Sequence, residues 1–292
     1  ILYFLEIAAD LKRKVQRREP HAVLTGRTAA LIFEKKSTRT RTSFQVACAH
    51  LGIDSFYMRP DEMQLSRGEP IKDTARVLDR YCDAVFIRTY GQNVVEEFAS
   101  YMKAPVINAL TDLVHPCQGL ADLLTIQEKK GRLEGLKVAY AGDVFNVCHS
   151  LMVAGSIVGM NVYVAGPKDY PPHSQIWKFT QEQAKKSGAN IVFTQNFKEA
   201  LEGADVVVGN TWHSMGAAEA EMEKRSRDYA PYRIDAAAMK MAKANAIFMH
   251  CLPAYRGEEV TEEVIEGSQS VIFDEAENRL HTEKAVLYLV LN

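Results

Sequence analysis

TAALIFEKKSTRTRTSFQVACAHL, residues 28–51, contains the pattern that the rest of the chain repeats. A run of strand-forming residues, Thr28–Phe33, leads through a polar and cationic turn into a stretch with helical periodicity, Thr42–Leu51. A strand that continues into a helix after a short turn is half of a β-α-β unit, and such units join parallel strands. The stretch therefore predicts a parallel sheet flanked by helices.

The same alternation extends over the whole chain. We predict further strands at 55–58, 84–88, 105–108, 137–141, 161–165, 190–194, 205–209, 246–250 and 271–274. We predict further helices at 71–81, 118–130 and 275–291.

A length of 292 residues suggests two domains. We expect an α/β protein in which each domain is a parallel sheet flanked by helices. The first domain comprises residues 1–130 and is completed by the C-terminal helix 275–292, and the second comprises residues 131–274. Ligands of open α/β sheets bind beyond the carboxyl ends of the strands, so we expect the active site in the crevice between the domains.

Composition excludes several classes of function. The chain has 35 Lys and Arg against 37 Asp and Glu, interspersed along its length, which gives no extended cationic surface for nucleic acid or membranes. No apolar run approaches a membrane span, and the first residues read as a helix rather than a signal peptide, so we expect a cytoplasmic protein with a few residues preceding Ile1. The five scattered cysteines lack CxxC spacing, which favours neither disulfides nor a zinc site.

Unusual polar residues follow the predicted strands. Ser37-Thr38-Arg39-Thr40-Arg41 opens a helix, where free N–H groups, hydroxyls and guanidiniums suit a small anion. The alternative is an N-cap followed by a solvated basic turn. The segment matches neither a Walker loop nor GxGxxG, so it gives no support for nucleotide binding.

Three further residues of the first half are candidates for the same site. Arg88 ends an apolar strand, where a cation is either a surface residue or a ligand to an anion. His115-Pro116-Cys117-Gln118 opens the next helix, and proline in the first turn leaves His115 and Gln118 at the helix start, either as caps or as donors to a ligand.

The second half offers loops rather than a nucleotide motif. Gly142-Asp143-Val144-Phe145-Asn146 lies where a dinucleotide-binding loop would, but its single glycine and bulky residues exclude a nicotinamide or flavin cofactor. Residues 210–216 suit a mobile loop that closes on a substrate. Cys251, in His250-Cys251-Leu252-Pro253, is by itself more typical of a small buried residue than of a nucleophile.

Together these motifs resemble the aspartate and ornithine carbamoyltransferase family, from about Leu11 to the end of the chain. The resemblance rests on their order and spacing, and Asn278-Arg279 completes the set. Within this family, three segments resemble the ornithine branch rather than the aspartate branch: Ser214-Met215-Gly216, 248–253 and 274–279.

The resemblance implies transfer of the carbamoyl group of carbamoyl phosphate to the δ-amine of L-ornithine, giving citrulline and phosphate without a metal or cofactor. It makes residues 1–130 the carbamoyl phosphate-binding domain and residues 131–274 the ornithine-binding domain. It assigns catalytic roles to Arg88, His115, Cys251 and Arg279, with Cys251 positioning groups rather than forming a covalent bond. It assigns carbamoyl phosphate binding to the same four residues and to Ser37, Thr38, Arg39, Thr40, Gln64, Gln118 and Leu252.

The resemblance assigns ornithine binding to Asn146, Asn210, Ser214 and Met215. The chain departs from the family pattern here, because ornithine enzymes normally have Asp in place of Asn210 and Gly-Asn-Asn in place of Val144-Phe145-Asn146. Two alternatives therefore stay open: a carbamoyltransferase for another amine such as putrescine, and a catalytically impaired carbamoyl phosphate-binding homologue. Both arginine synthesis and arginine breakdown fit the same site.

The resemblance also implies a homotrimer, or a multiple of it. Gln64, in the segment Asp61–Glu69, would then reach the carbamoyl phosphate of a neighbouring subunit. Without the family, this segment is a polar surface loop.

Overall fold

The computed structural model describes residues 1–213 and 219–292. The chain divides into two compact units. Unit 1 comprises Ile1–Leu124 and Glu277–Asn292, and unit 2 comprises Thr125–Ala276. None of the helices in these described ranges is long and apolar enough to cross a membrane.

Unit 1 contains a four-stranded parallel sheet with the strand order β2-β1-β3-β4. Its strands are β1 (Thr28–Phe33), β2 (Asp54–Met58), β3 (Ala84–Arg88) and β4 (Val106–Leu110). Its helices are α1 (Leu2–Gln16), α2 (Thr38–Leu51), α3 (Ile71–Leu78) and α4 (Gln92–Tyr101), with short 3-10 helices at Pro60–Glu62 and Gln64–Arg67. The first part of α5 (Pro116–Lys130) and most of α12 (Ile272–Leu291) also belong to it.

The two central strands of unit 1 bring two of its loops together. Every residue of β3 is buried, as expected for a strand covered on both faces, and Phe86 packs against Phe44 of α2 with ring centroids 4.2 Å apart. Strands β1 and β3 pair in register, with Phe33 opposite Arg88. The loop that leads into α2 therefore starts beside Arg88.

Unit 2 contains a five-stranded parallel sheet with the strand order β7-β6-β5-β8-β9. Its strands are β5 (Lys137–Ala141), β6 (Asn161–Ala165), β7 (Ile191–Thr194), β8 (Val206–Gly209) and β9 (Ile247–His250). Its helices after α5 are α6 (Asn146–Val158), α7 (Ser174–Ser187), α8 (Phe197–Leu201), α9 (Glu219–Tyr229), α10 (Ala236–Met241) and α11 (Glu262–Ile265), with a 3-10 helix at Ala230–Tyr232. The strand order reverses at β5, and the loops beyond such a reversal form the usual binding position of an open sheet.

The predicted α/β class with two parallel sheets is confirmed, but one predicted strand is wrong. Residues 271–274 lie at the start of α12, which begins at Ile272 rather than at Glu275. The β-branched pair Val271-Ile272 suggested a strand, yet the contact with β9 is a single bridge between Phe248 and Ser270. Asp274 in the first turn suits the positive end of a helix.

Three predicted helix boundaries also change. Helix α5 starts at Pro116 rather than at Gln118. Helix α2 starts at Thr38, four residues before the predicted start, because Ser37 caps it. Helix α3 ends at Leu78 rather than at Tyr81.

Candidate active site

Ser37 begins the site in unit 1 by capping α2. Its Oγ accepts a hydrogen bond from the backbone N–H of Thr40 at 3.1 Å. The first turn of α2 has no acidic residue and contains Arg39 and Arg41 instead. A cation at the positive end of a helix dipole is unfavourable, by about 0.3–1 kcal/mol. A bound anion would offset this cost, so the helix start has the character of an anion site.

Thr40 links the helix start to two arginines. Its hydroxyl oxygen accepts hydrogen bonds from Arg88 Nη1 at 3.4 Å and from Arg279 Nη2 at 3.2 Å. These two bonds use both lone pairs of the oxygen, so the hydroxyl proton remains to be donated to a ligand. Thr40, Arg88 and Arg279 are all at least nine-tenths buried.

Arg279 connects three helices. Its Nη1 donates to Gln118 Oε1 of α5 at 3.0 Å, and its Nη2 donates to Glu283 Oε1 of α12 at 2.7 Å in addition to Thr40 of α2. The Gln118 amide is oriented from its other side, because its Nε2 donates to Asp122 Oδ1 at 2.8 Å.

His115 lies immediately before α5 and is buried. Burial, followed by the charges of Arg279, Arg88 and Arg39, holds the pKa of the His115 imidazole well below its usual range. The ring is therefore neutral at physiological pH and has one N–H donor. Three guanidiniums around a neutral imidazole can neutralise an anion and donate a hydrogen bond to a neighbouring carbonyl oxygen.

A cavity of about 1160 Å³ lies beside the start of α2 in unit 1, and Thr40, His115 and Arg279 are not among the residues that line it. Ser37, Thr38 and Arg88 are among the residues that line it. Arg41, the last residue of the cationic motif, also lines the cavity, and its guanidinium stacks 3.8 Å from the ring centroid of Tyr57. Arg41 is thus part of the cavity wall.

Gln64 lies apart from this group, at the start of the 3-10 helix Gln64–Arg67. Its side chain is exposed, whereas the neighbouring Leu65 and Ser66 line the cavity.

In unit 2, Asn210 and Cys251 form a second polar pair. Strands β8 and β9 pair with Gly209 opposite His250, so the residues that follow them emerge side by side. The Cys251 thiol donates to Asn210 Oδ1 at 3.4 Å. The Asn210 side chain also hydrogen-bonds the hydroxyl group of Tyr140, the last residue but one of β5.

The loop after β5 approaches the loop after β8 closely at Gly142. A Cβ added there would lie 2.3 Å from the backbone oxygen of Asn210, and Gly142 has a φ of +147°. Only glycine suits both conditions. Asn146 then begins α6 and is buried, close in sequence to this contact.

A buried ion pair strengthens the same region. Asp143 pairs with Arg225 of α9, whose Nε also donates to the carbonyl of Trp212 at 3.1 Å. The backbone N–H of Asp143 donates to Thr211 O at 3.0 Å. These bonds fix the start of the predicted mobile loop at residues 210–213.

The backbone after β9 has an unusual conformation. Leu252 has a φ of +58°, in the left-handed region that a branched side chain avoids. Its N–H donates to His250 Nδ1 at 2.9 Å, and the ring of His250 lies 3.3 Å from the buried carboxylate of Glu259. Such a backbone conformation costs of the order of 1–3 kcal/mol and is typical of functional sites.

The structure thus brings most predicted site residues of unit 1 together around Thr40, Arg279 and His115. In unit 2 it pairs Cys251 with Asn210 and places Leu252 next in the chain. Ser214 and Met215, which were predicted to bind the amino acid, lie outside the described residues. Within the described ranges, no group of three or more His, Cys, Asp and Glu side chains could hold a metal ion.

Sequence reasoning missed two residues of these clusters. Glu283 follows Arg279 by four positions, and an Arg–Glu pair at this spacing on a predicted helix is a recognisable signal. Tyr140 had no such signal, because a tyrosine in an apolar strand is most often a core residue.

Comparisons with known proteins agree with these observations. The family model of the aspartate/ornithine carbamoyltransferase carbamoyl-P binding domain matches residues 1–128, and that of the Asp/Orn binding domain matches residues 134–290. An ornithine carbamoyltransferase of Caldicellulosiruptor saccharolyticus is 52% identical over 290 residues, 99% of this chain and 94% of that protein.

Solved structures give the same result. The ornithine carbamoyltransferase of Pyrococcus furiosus superposes with a TM-score of 0.95 at 49% identity, covering 99% of this chain and 92% of that one. The anabolic enzyme of Campylobacter jejuni superposes with a TM-score of 0.92 at 44% identity, covering 99% and 94%.

Proposed function

The chain belongs to the aspartate/ornithine carbamoyltransferase family, and from this premise we propose how its residues transfer the carbamoyl group of carbamoyl phosphate to the δ-amine of L-ornithine. The products are citrulline and phosphate. The observation that carries the proposal is the convergence of Arg88 and Arg279 on the hydroxyl of Thr40 at the start of α2.

The phosphate is bound at the start of α2. Ser37, Thr38 and Arg39 supply backbone and side-chain donors, and Thr40 supplies the hydroxyl proton that its bonds to the two arginines leave available. Arg88 and Arg279 neutralise the charge that grows on the phosphate as the bond to the carbamoyl group breaks. A charge-assisted hydrogen bond of this kind contributes about 1.5–3 kcal/mol.

The carbonyl oxygen of the carbamoyl group is polarised by His115. A neutral imidazole donates a hydrogen bond without releasing a proton, which suits the stabilisation of a developing oxyanion. One such preorganised donor supplies about 2.7–4 kcal/mol. The side chain of Gln118 and the carbonyls at Cys251 and Leu252 receive the N–H groups of the carbamoyl amide.

Unit 2 supplies the acceptor side. Asn146 and Asn210, with Ser214 and Met215, hold the α-amino acid group of ornithine. An alkyl amine with a pKa near 10.4, as in lysine, is neutral in only about one molecule per thousand at pH 7.4, which costs roughly 4 kcal/mol. Exclusion of water around the amine offsets part of this cost, and the departing phosphate accepts the proton that the amine loses.

Cys251 positions groups rather than forming a covalent bond. Its thiol is already engaged as a donor to Asn210, at 3.4 Å. Direct attack by the amine on the carbamoyl carbon needs no intermediate on the enzyme.

We propose the same oligomer that the family resemblance implies, a homotrimer in which Gln64 reaches a neighbour's carbamoyl phosphate. The exposed position of Gln64 supports this proposal. The cytoplasm is the compartment we propose, because reduced thiols are expected there and no disulfide occurs in the described residues. Light scattering of the purified protein tests the trimer.

The activity is tested by measuring citrulline from carbamoyl phosphate and L-ornithine, with putrescine and N-acetylornithine in parallel. We expect ornithine to give the highest kcat/KM and the rate to rise between pH 7 and about 9.5 as the amine loses its proton. Absence of citrulline over this range would exclude the proposed reaction. Product from putrescine alone would assign the enzyme to a different amine.

A further inference from the structure

Glu283 is a fully buried acid that the reaction described above does not use. It lies on α12, and its side chain is 0% exposed. Burial of an unpaired carboxylate is costly, so a buried acid needs a cation or several donors close to it. Here the cation is Arg279, whose Nη2 donates to Glu283 Oε1 at 2.7 Å.

The position of Arg279 depends on more than its own helix. Its side-chain acceptors include Thr40 and Gln118, which are neutral, and Glu283, which is an acid. The guanidinium is charged in all three bonds, and in the bond to Glu283 the opposite charge on the acceptor adds Coulomb attraction. Glu283 is therefore the strongest of these three restraints on the guanidinium plane.

We propose that Glu283 is a positioning residue, which holds the Arg279 guanidinium in the orientation that contacts Thr40 and Gln118 and thereby sets the affinity for carbamoyl phosphate. The inference rests on the proposed function. Glu283 itself does not touch the substrate in this role. The carboxylate fixes the arginine before the phosphate arrives, so that binding does not have to restrict a mobile side chain.

Burial of Glu283 makes this role dependent on pH. Burial raises the pKa of the Glu283 carboxyl to about 7, and Arg279 and the Ser43 hydroxyl oppose the rise. The other titratable groups that interact with it are the thiols of Cys48 on α2 and Cys117 on α5, whose pKa values burial raises to about 12. These thiols stay neutral below pH 9, so the titration near neutrality belongs to Glu283.

The direction of the effect follows from this titration. Above pH 7 the carboxylate is ionised and holds Arg279 with a charge-assisted bond. As the pH falls through 7 the carboxyl becomes neutral and the restraint weakens, so the KM for carbamoyl phosphate should rise. The phosphate group of the substrate also takes up a proton in this range, near pH 6, and this changes the KM as well. Its effect on the KM must therefore be separated from that of Glu283.

Two substitutions separate orientation from charge. Glu283→Met has a similar length and removes both the acceptor and the charge, and we expect it to raise the KM for carbamoyl phosphate about tenfold or more at pH 8. Glu283→Gln keeps an acceptor for Arg279, and we expect it to restore most of the affinity, to within about threefold of the parent enzyme. The KM for ornithine should stay within about twofold in both.

Thr282→Val is the matched control. Thr282 is the buried neighbour on α12, and its hydroxyl donates to the helix carbonyls of Asn278 and Arg279. The variant weakens the same helix without removing an acceptor of the Arg279 side chain. We expect a lower melting temperature and an unchanged KM for carbamoyl phosphate.

A pH profile completes the test. Between pH 6 and pH 8 the KM of the parent enzyme for carbamoyl phosphate should fall more steeply than that of Glu283→Gln, and the two enzymes should converge at pH 6. The substrate is the same for both, so the difference isolates Glu283. If Glu283→Met does not fold, this comparison still decides the question.

Three results would overturn the proposal. Equal KM values in Glu283→Met, Glu283→Gln and the parent enzyme would leave Glu283 a structural residue. Tighter binding of carbamoyl phosphate in both variants would show that its charge opposes the phosphate. Parallel pH profiles would remove the titration of Glu283 from substrate binding. A parent enzyme that forms no citrulline would instead contradict the proposed function.

Discussion

Arg279 donates a hydrogen bond to the hydroxyl oxygen of Thr40 across 3.2 Å, although 239 positions separate the two residues in the sequence. The C-terminal helix thus returns to the helix start that the anion motif forms. A truncation of α12 that removes Arg279 would therefore remove a residue of the site as well as part of the fold of unit 1.

Thr40→Val tests the importance of this contact. Valine has nearly the shape of threonine but offers no acceptor to Arg88 and Arg279 and no proton to the phosphate. Each charge-assisted bond contributes about 1.5–3 kcal/mol, so we expect kcat/KM for carbamoyl phosphate to fall at least tenfold. Steady-state kinetics at saturating ornithine measure this.

The control for Thr40→Val is the same substitution at Thr180 of α7. Thr180 is also fully buried, and its hydroxyl donates to Trp177 O at 2.9 Å. We expect a similar loss of stability there with no change in kcat/KM. Equal kinetic effects of the two substitutions would mean that Thr40 acts only through packing.

Two substitutions of Cys251 test whether its thiol forms a covalent bond or only positions other groups. Cys251→Ser keeps a donor to Asn210, and we expect its kcat to fall by about tenfold or less. Cys251→Ala loses the donor and should fall further while staying measurable. A lost covalent nucleophile costs about 10⁶ in kcat, so two inactive variants would contradict the positioning role.

The sequence predicted the sheets because their strands are covered on both faces and read as continuous apolar runs. It predicted the site in unit 1 because strand ends in one parallel sheet lie at one edge, as Phe33 and Arg88 do. It failed at 271–274, where β-branched residues begin a helix, because the pairing with β9 is limited to an isolated bridge at Ser270 and the acidic first turn favours a helix start. Contacts such as Asn210 with Tyr140 depend on strand order, which no local pattern specifies.

Asn210→Asp tests the acceptor side. The carboxylate keeps an acceptor for Cys251 and adds a negative charge to a buried position. If Asn210 faces the ornithine ammonium, a charge-assisted bond replaces a neutral one, and the KM for ornithine should fall about tenfold at pH 7.5. Kinetics with ornithine and putrescine measure this.

Asn245→Asp adds the same charge at an exposed position of unit 2 and serves as the control. We expect no change in either KM. An unchanged KM for ornithine in Asn210→Asp as well would remove Asn210 from recognition of the ammonium group.

We expect the buried ring of His281 to make the free energy of unfolding depend on pH. Burial, followed by the charge of Lys284, lowers the pKa of the His281 ring from 6.5 to about 3, and both outweigh the half-exposed Glu277 carboxylate 3.3 Å away. The unfolded chain takes up a proton near pH 6.5 that the folded chain rejects, so lowering the pH favours unfolding. We expect a loss of about 2 kcal/mol by pH 5 from this residue.

His281→Gln should remove this contribution. Urea unfolding at pH 5, 6, 7 and 8 should show a shallower loss of the free energy of unfolding in the variant. Part of the slope should remain, because burial also lowers the pKa of His50 and of His115. Identical slopes for the variant and the parent would contradict the assignment to His281.

We expect a substitution of Gly142 to destabilise unit 2 strongly. In Gly142→Ala the new Cβ would lie 2.3 Å from Asn210 O, a contact with backbone that cannot rotate away. We expect a loss of more than about 3 kcal/mol, since overpacking adds to the unfavourable backbone conformation. Gly135→Ala is a reference for a glycine in the left-handed region without a steric contact, because its φ is +73° and a Cβ there meets nothing within 4 Å. It should cost only about 1–2 kcal/mol. Equal losses in urea unfolding would show that backbone conformation alone, rather than the approach of the two loops, requires glycine at 142.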